Sequence, residues 1–248
     1  MKKPLIYFFV SCLLFLTQCS KNDAVNSLAG NLNNRSVGTS ANEFLSASTY
    51  PSVNIEIAYM PGYAPNAIAL TNLQNFLGQL VNKPGGINIT QRQIAASQKS
   101  SLTLTEIREL EKINRTVFTT SNSLGVFVLY TDGVYSDANT LGVAHKNTSM
   151  VIFGKTIHDN SGGVNQASLT KLETLVTEHE FGHLLGLVDL GSAMQTNHKD
   201  PASNHCTNTA CLMYYVTQVN QMGGILLISP VPPLDTNCLN DLKANGGK

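Results

Sequence analysis

The stretch that decides the reading is His179-Glu180-Phe181-Gly182-His183-Leu184-Leu185-Gly186-Leu187-Val188-Asp189. It closes a segment, 169–186, that reads as a helix, with Thr170 and Glu173 spaced as a capping box at its start. Residues four apart on a helix share a face, so His179 and His183 present both imidazoles to one point. That pair suits a zinc ion, and Glu180 lies where it can take a proton from a water held there. Gly186 can adopt the left-handed conformation that ends a helix and turns the chain back. The turn can bring Asp189 round as a third ligand, leaving one coordination position open for water.

Outward from this segment the pattern is mixed. Residues 53–59 alternate apolar and polar side chains, as a half-buried strand does. A helix is expected over 67–81, ended by Pro84-Gly85-Gly86, then a strand over 87–94 and a surface helix over 103–117. Residues 124–130 and 150–153 are strongly strand-forming. Between them Leu141, Gly142, Val143, Ala144 and His145 form a short edge-strand candidate. The remainder after the long helix reads as loop-rich. The expected class is α+β: a mixed twisted sheet with helices and a smaller, irregular C-terminal part.

The motif resembles the signature of the metzincin zinc peptidases, His-Glu-x-x-His-x-x-Gly-x-x-His/Asp, with Asp189 in the place that snapalysin-type members give to Asp. The resemblance implies zinc in a cleft between two subdomains, about 50–187 and 188–248. Met213, in Cys211-Leu212-Met213-Tyr214-Tyr215, matches the methionine turn that lies under the zinc ligands, and Tyr215 matches an oxyanion-stabilising tyrosine of some branches. Leu141 to His145 match the edge strand that pairs with substrate in these enzymes. His205-Cys206, followed after four residues by Cys211-Leu212-Met213, is similar to the archaemetzincins, in which a His directly before such a cysteine is the third ligand. Here fifteen residues, 190–204, separate Asp189 from His205. The third ligand is therefore expected at Asp189, with His205 and then His198 as alternatives. Archaemetzincins also hold a second zinc with cysteines, and the later cysteine pair they use is absent. A thermolysin-like site is excluded, because it draws a ligand from a downstream Glu and no Glu follows Glu180.

The rest of the chain bounds where such chemistry would take place. The 248 residues carry 16 basic and 16 acidic side chains, a balance that argues against nucleic-acid binding. Lys2 and Lys3 precede an apolar run ending in Leu16-Thr17-Gln18-Cys19, which reads as an export signal over 1–18 and resembles a bacterial lipoprotein signal with Cys19 lipidated. Residues 19–49, rich in Asn and Ser, read as a flexible tether holding a domain, 50–248, at a membrane of the cell envelope. Cys206, Cys211 and Cys238 then remain in the domain, enough for one disulfide and one free thiol in an oxidising location. With no Cys between Cys19 and Cys206, thiol-latched zymogen control is not expected. These readings imply an exported zinc endopeptidase acting on protein or peptide substrates. The alternatives are a non-catalytic zinc-containing surface binding lipoprotein, or an enzyme that cuts peptide cross-links of cell wall.

Overall fold

The run Ser-Leu-Gly-Val-Phe-Val-Leu-Tyr at 123–130 has no polar face, and every one of its residues is buried. A strand of that kind belongs in the middle of a sheet covered on both sides. In the computed structural model, which describes residues 31–214 and 230–248, it takes that place. The first elements are α1 (Ala41–Leu45), β1 (Ser52–Tyr59), α2 (Ala67–Leu80), β2 (Ile87–Gln93), β3 (Ser101–Leu102) and α3 (Leu104–Asn114). There follow β4 (Ser123–Tyr130), β5 (Val134–Tyr135), β6 (Gly142–Lys146), β7 (Ser149–Ile152), α4 (Gly154–Asp159), α5 (Leu169–Leu184) and α6 (Thr236–Ala244). The main sheet has the order β2-β1-β4-β7-β6, parallel except for β6, which runs antiparallel to β7 at one edge.

Strand periodicity divides the core in two. Ile55 and Ile57 of β1, Val126 and Val128 of β4 and Met150 of β7 share one cluster with Leu73 of α2 and Val176 of α5. The alternate residues Ala58, Phe127, Leu129 and Val151 face the other side, with Ile107 of α3. The long helix α5 therefore lies against the face onto which β6 and β7 also open.

Three expectations are corrected. Residues 31–49 are not a tether throughout: Phe44 is 1% exposed and meets Phe181 edge to face, with ring centroids 6.5 Å apart. Arg35 bonds Glu43, and buried Asn33 bonds Thr119, Gly125 and Thr148. Five helical residues in a polar context are too short for hydrophobic periodicity to reveal. The expected capping box of α5 is absent as well, because Ser168 caps the helix through the Lys171 N–H. Glu173 instead accepts the Asn66 N–H, 2.7 Å away, at the start of α2. A capping box does occur on α3, between Thr103 and Glu106. Finally, the C-terminal part is not all loop: Asp235 caps α6, accepting from the Cys238 N–H.

Candidate metal centre

α5 ends in a Schellman motif: the Gly186 N–H donates to the His183 carbonyl and the Leu187 N–H to Gly182. Gly186 has φ +80°, and a Cβ there would come within 2.7 Å of the Ala41 Cβ. Two non-glycine residues follow in the left-handed region, Val188 at φ 54° and Asp189 at φ 71°. For a β-branched valine this is a strained conformation, of the sort that clusters at functional sites. The turn points Asp189 outward, where its carboxylate is half exposed and meets Lys199 Nζ at 3.2 Å. Asp189 is not brought to the two histidines.

His205 is. The fifteen-residue excursion returns through the Asp200 N–H to the His205 carbonyl at 2.7 Å and an antiparallel bridge between Lys199 and Cys206. The ring centroids lie 4.8 Å apart for His179 and His183, 5.2 Å for His179 and His205, and 5.1 Å for His183 and His205. One ring nitrogen of each falls within 4.8 Å of the others. The His179 Nδ1 bonds the Leu212 carbonyl at 2.8 Å, which fixes the ring and leaves Nε2 for the cluster. That Nε2 and the His183 Nδ1 are buried without a hydrogen-bond partner. Burial first, then mutual repulsion, pushes the His179 pKa down to about 3 and that of His183 well below the usual range; burial also lowers His205. Neutral imidazoles that bring one ring nitrogen each this close together are a donor set that fits zinc.

Glu180 lies on the same helix, 3% exposed, its carboxyl pushed up to about 8 by burial against the opposing hydrogen bond from the Ala144 N–H at 2.7 Å. That bond joins the helix to the edge strand β6. Gly142 makes the approach possible, since a Cβ there would lie 2.8 Å from the Glu180 Cγ. Beneath, Met213 is fully buried, and its Sδ would be 2.3 Å from a Cβ at Gly182. Gly182, an unspecified position of the motif, is thus required by the methionine, a signal visible only once both are placed. Leu141, Gly142, Val143 and Ala144 line the sheet edge as expected, but His145 turns to the opposite face, 3.8 Å from Glu111. Tyr215, the signal segment and Cys19 lie outside the described residues.

A second donor cluster was not legible in the sequence. His198, Cys206, Asp235 and Cys238 bring one ligand atom each within 4.8 Å of one another. The His198 Nδ1 faces the Cys206 Sγ at 3.3 Å and the Cys238 Sγ at 3.9 Å, while its Nε2 meets the buried Asp241 carboxylate at 2.8 Å. Cys211 is 3.6 Å from Cys238, and the three cysteines are unbridged. Cys238 on α6 thus stands beside Cys206 and a histidine oriented by a carboxylate. Donors this far apart match the edges of a tetrahedral thiolate site, about 3.8 Å for 2.3 Å bonds.

No protein-family profile matches the chain, and no curated protein matches its sequence. Among solved structures, archaemetzincin from Methanopyrus kandleri aligns with a TM-score of 0.52 at 11% identity, over 79% of this chain and 96% of that one. Metalloproteinase-II from Bacteroides fragilis aligns with a TM-score of 0.42 at 14% identity, over 90% of this chain and 61% of that one. The first of these likenesses establishes the fold: the expected α+β, metzincin-like architecture is the one found.

Proposed function

We propose that the chain is a zinc-dependent endopeptidase with His179, His183 and His205 as ligands and Glu180 as general base. The observation that carries this reading is the convergence of three neutral imidazoles, two buried and the third half-buried, beside the Glu180 carboxyl and the edge strand β6. Zinc, when bound, supplies a Lewis acid that acidifies water and polarises a carbonyl. The chain's own groups do the rest. One Glu180 oxygen holds the Ala144 N–H, which fixes the carboxyl against β6, and the other takes a proton and returns it to the leaving amine. The edge strand aligns an extended peptide by backbone pairing, so Leu141 to Ala144 set its register. Met213 and the Leu212 carbonyl keep His179 and the helix in place. We assign the second cluster a structural zinc, held chiefly by His198, Cys206 and Cys238 and stabilising the segment that carries His205. Export and lipid attachment at Cys19 belong to the same reading, with the substrate an exposed peptide or protein.

The test is elemental analysis together with cleavage of a mixed peptide library. The wild type is expected to hold two zinc ions and to cleave internal bonds, His205→Ala to lose one zinc and all cleavage, and Asp189→Ala to keep both zincs. Cleavage retained in His205→Ala but lost in Asp189→Ala overturns the ligand assignment. A zinc-loaded wild type inert on the library leaves a non-catalytic binding protein.

A further inference from the structure

A cavity of about 730 Å³ opens at the end of β6 and is lined by Arg35, Arg108, Lys112, Arg115, His145 and Lys146 among others. Its cations outnumber the carboxylates that meet them. Buried Glu111 serves both Arg115, at 2.9 Å, and Lys146, at 3.0 Å. Arg35 bonds Glu43, and Lys112 lies 3.6 Å from Glu109 with both side chains exposed. Arg108, exposed on α3, has no carboxylate within 4 Å among the described residues; its guanidinium reaches the His145 carbonyl at 3.4 Å. Five cationic side chains thus face three carboxylates. Beneath the bowl wall lies the His145 ring, its side chain fully buried and both nitrogens lacking a hydrogen-bond partner. A carboxylate entering the bowl would meet the unmatched Arg108 guanidinium, a charge-assisted hydrogen bond.

The position gives the bowl a meaning. Ala144, whose N–H meets Glu180, is followed directly by His145 and Lys146, so the bowl begins about 7 Å further along the same strand. A peptide paired with β6 would run past it within about three residues of the bond beside Glu180, its alternate side chains on the face that carries α3. We infer that this bowl is a subsite for a carboxylate of the bound peptide, and that the enzyme prefers acidic substrates. The inference rests on the peptidase reading above and deepens it.

The test is a set of fluorogenic peptides with Glu, Gln or Lys at each of three positions on either side of the cleaved bond, each with a free or an amidated C-terminus. With the zinc-loaded full chain, one position is expected to show kcat/KM about 10- to 100-fold higher for Glu than for Gln, the range for a charge-assisted hydrogen bond, chiefly through KM. A gain on the free C-terminus alone would place the terminal carboxylate in the bowl. In Arg108→Glu, checked for zinc content and melting temperature, the order is expected to invert in favour of Lys. Equal cleavage of Glu, Gln and Lys peptides overturns the subsite and leaves the peptidase standing. If no peptide is cleaved, anisotropy binding of the same peptides decides: Glu preferred, and lost in Arg108→Glu, keeps the bowl while the peptidase reading falls; no preference overturns both.

Discussion

At the scale of single residues, function rests on side chains whose burial would be costly without a task. Glu180 is a carboxyl buried beside histidines that burial keeps neutral, and it accepts a hydrogen bond from the backbone N–H of Ala144. Glu180→Gln keeps that acceptor but cannot take a proton, so peptide cleavage is expected to fall by about 10²- to 10⁴-fold. Zinc content should be unchanged by elemental analysis; equal losses of metal and activity would assign Glu180 to the ligand shell instead. Gly182 makes a structural counterpart. Gly182→Ala drives a methyl into the Met213 sulfur and is expected to destabilise the fold by about 1–3 kcal/mol, read from a thermal melt. Of these roles, His179, Glu180 and His183 are legible in the sequence because one helix turn fixes their geometry. His205 competes there with Asp189, since only the path of the intervening loop decides which of the two reaches the histidines.

At the scale of elements, α5 and α6 each carry a group that links local structure to stability. Glu173, 1% exposed in α5, has its pKa raised to about 7 by burial, against the lowering effect of the Asn66 N–H it accepts. The folded chain therefore favours the protonated form more than the unfolded chain does. Stability from this group is present below about pH 4.5 and is lost as pH rises through 7, about 3 kcal/mol in all. Glu173→Gln should flatten the fall in melting temperature between pH 5 and pH 8; an unaltered slope would refute the assignment. On α6, Cys238 joins the C-terminal helix to the loop that carries His198 and Cys206. Cys238→Ser is expected to lose one of two zinc ions and to melt well below wild type. The helix itself escapes a reading of the sequence, because nine residues after a proline-rich stretch give little periodicity and its anchoring partners lie 40 to 46 residues away.

At the scale of the whole molecule, the sheet presents two faces with different work: one seats α5 and the metal centre, the other the basic bowl beside α3. The segment 31–49 belongs to this whole. A chain beginning at residue 50 would uncover the partners of Phe44 and Leu45, both almost fully buried. It is expected to lose about 3–6 kcal/mol relative to a chain beginning at 31, measured by chemical denaturation. Equal stability would return the segment to the role of a tether. The sequence by itself determined the order β1, α2, β2, α3, β4, β6, β7 and α5, without the two-residue strands β3 and β5 or the short helix α4, and it determined the pair of histidines with their glutamate. These depend on periods of two and of 3.6 residues and on one helical turn, which are local. The tertiary structure alone decided the third imidazole, the second donor cluster, the bowl and the docking of residues 31–49. Each joins residues separated by an irregular loop, and the path of such a loop is set by the surfaces it packs on rather than by its own residues.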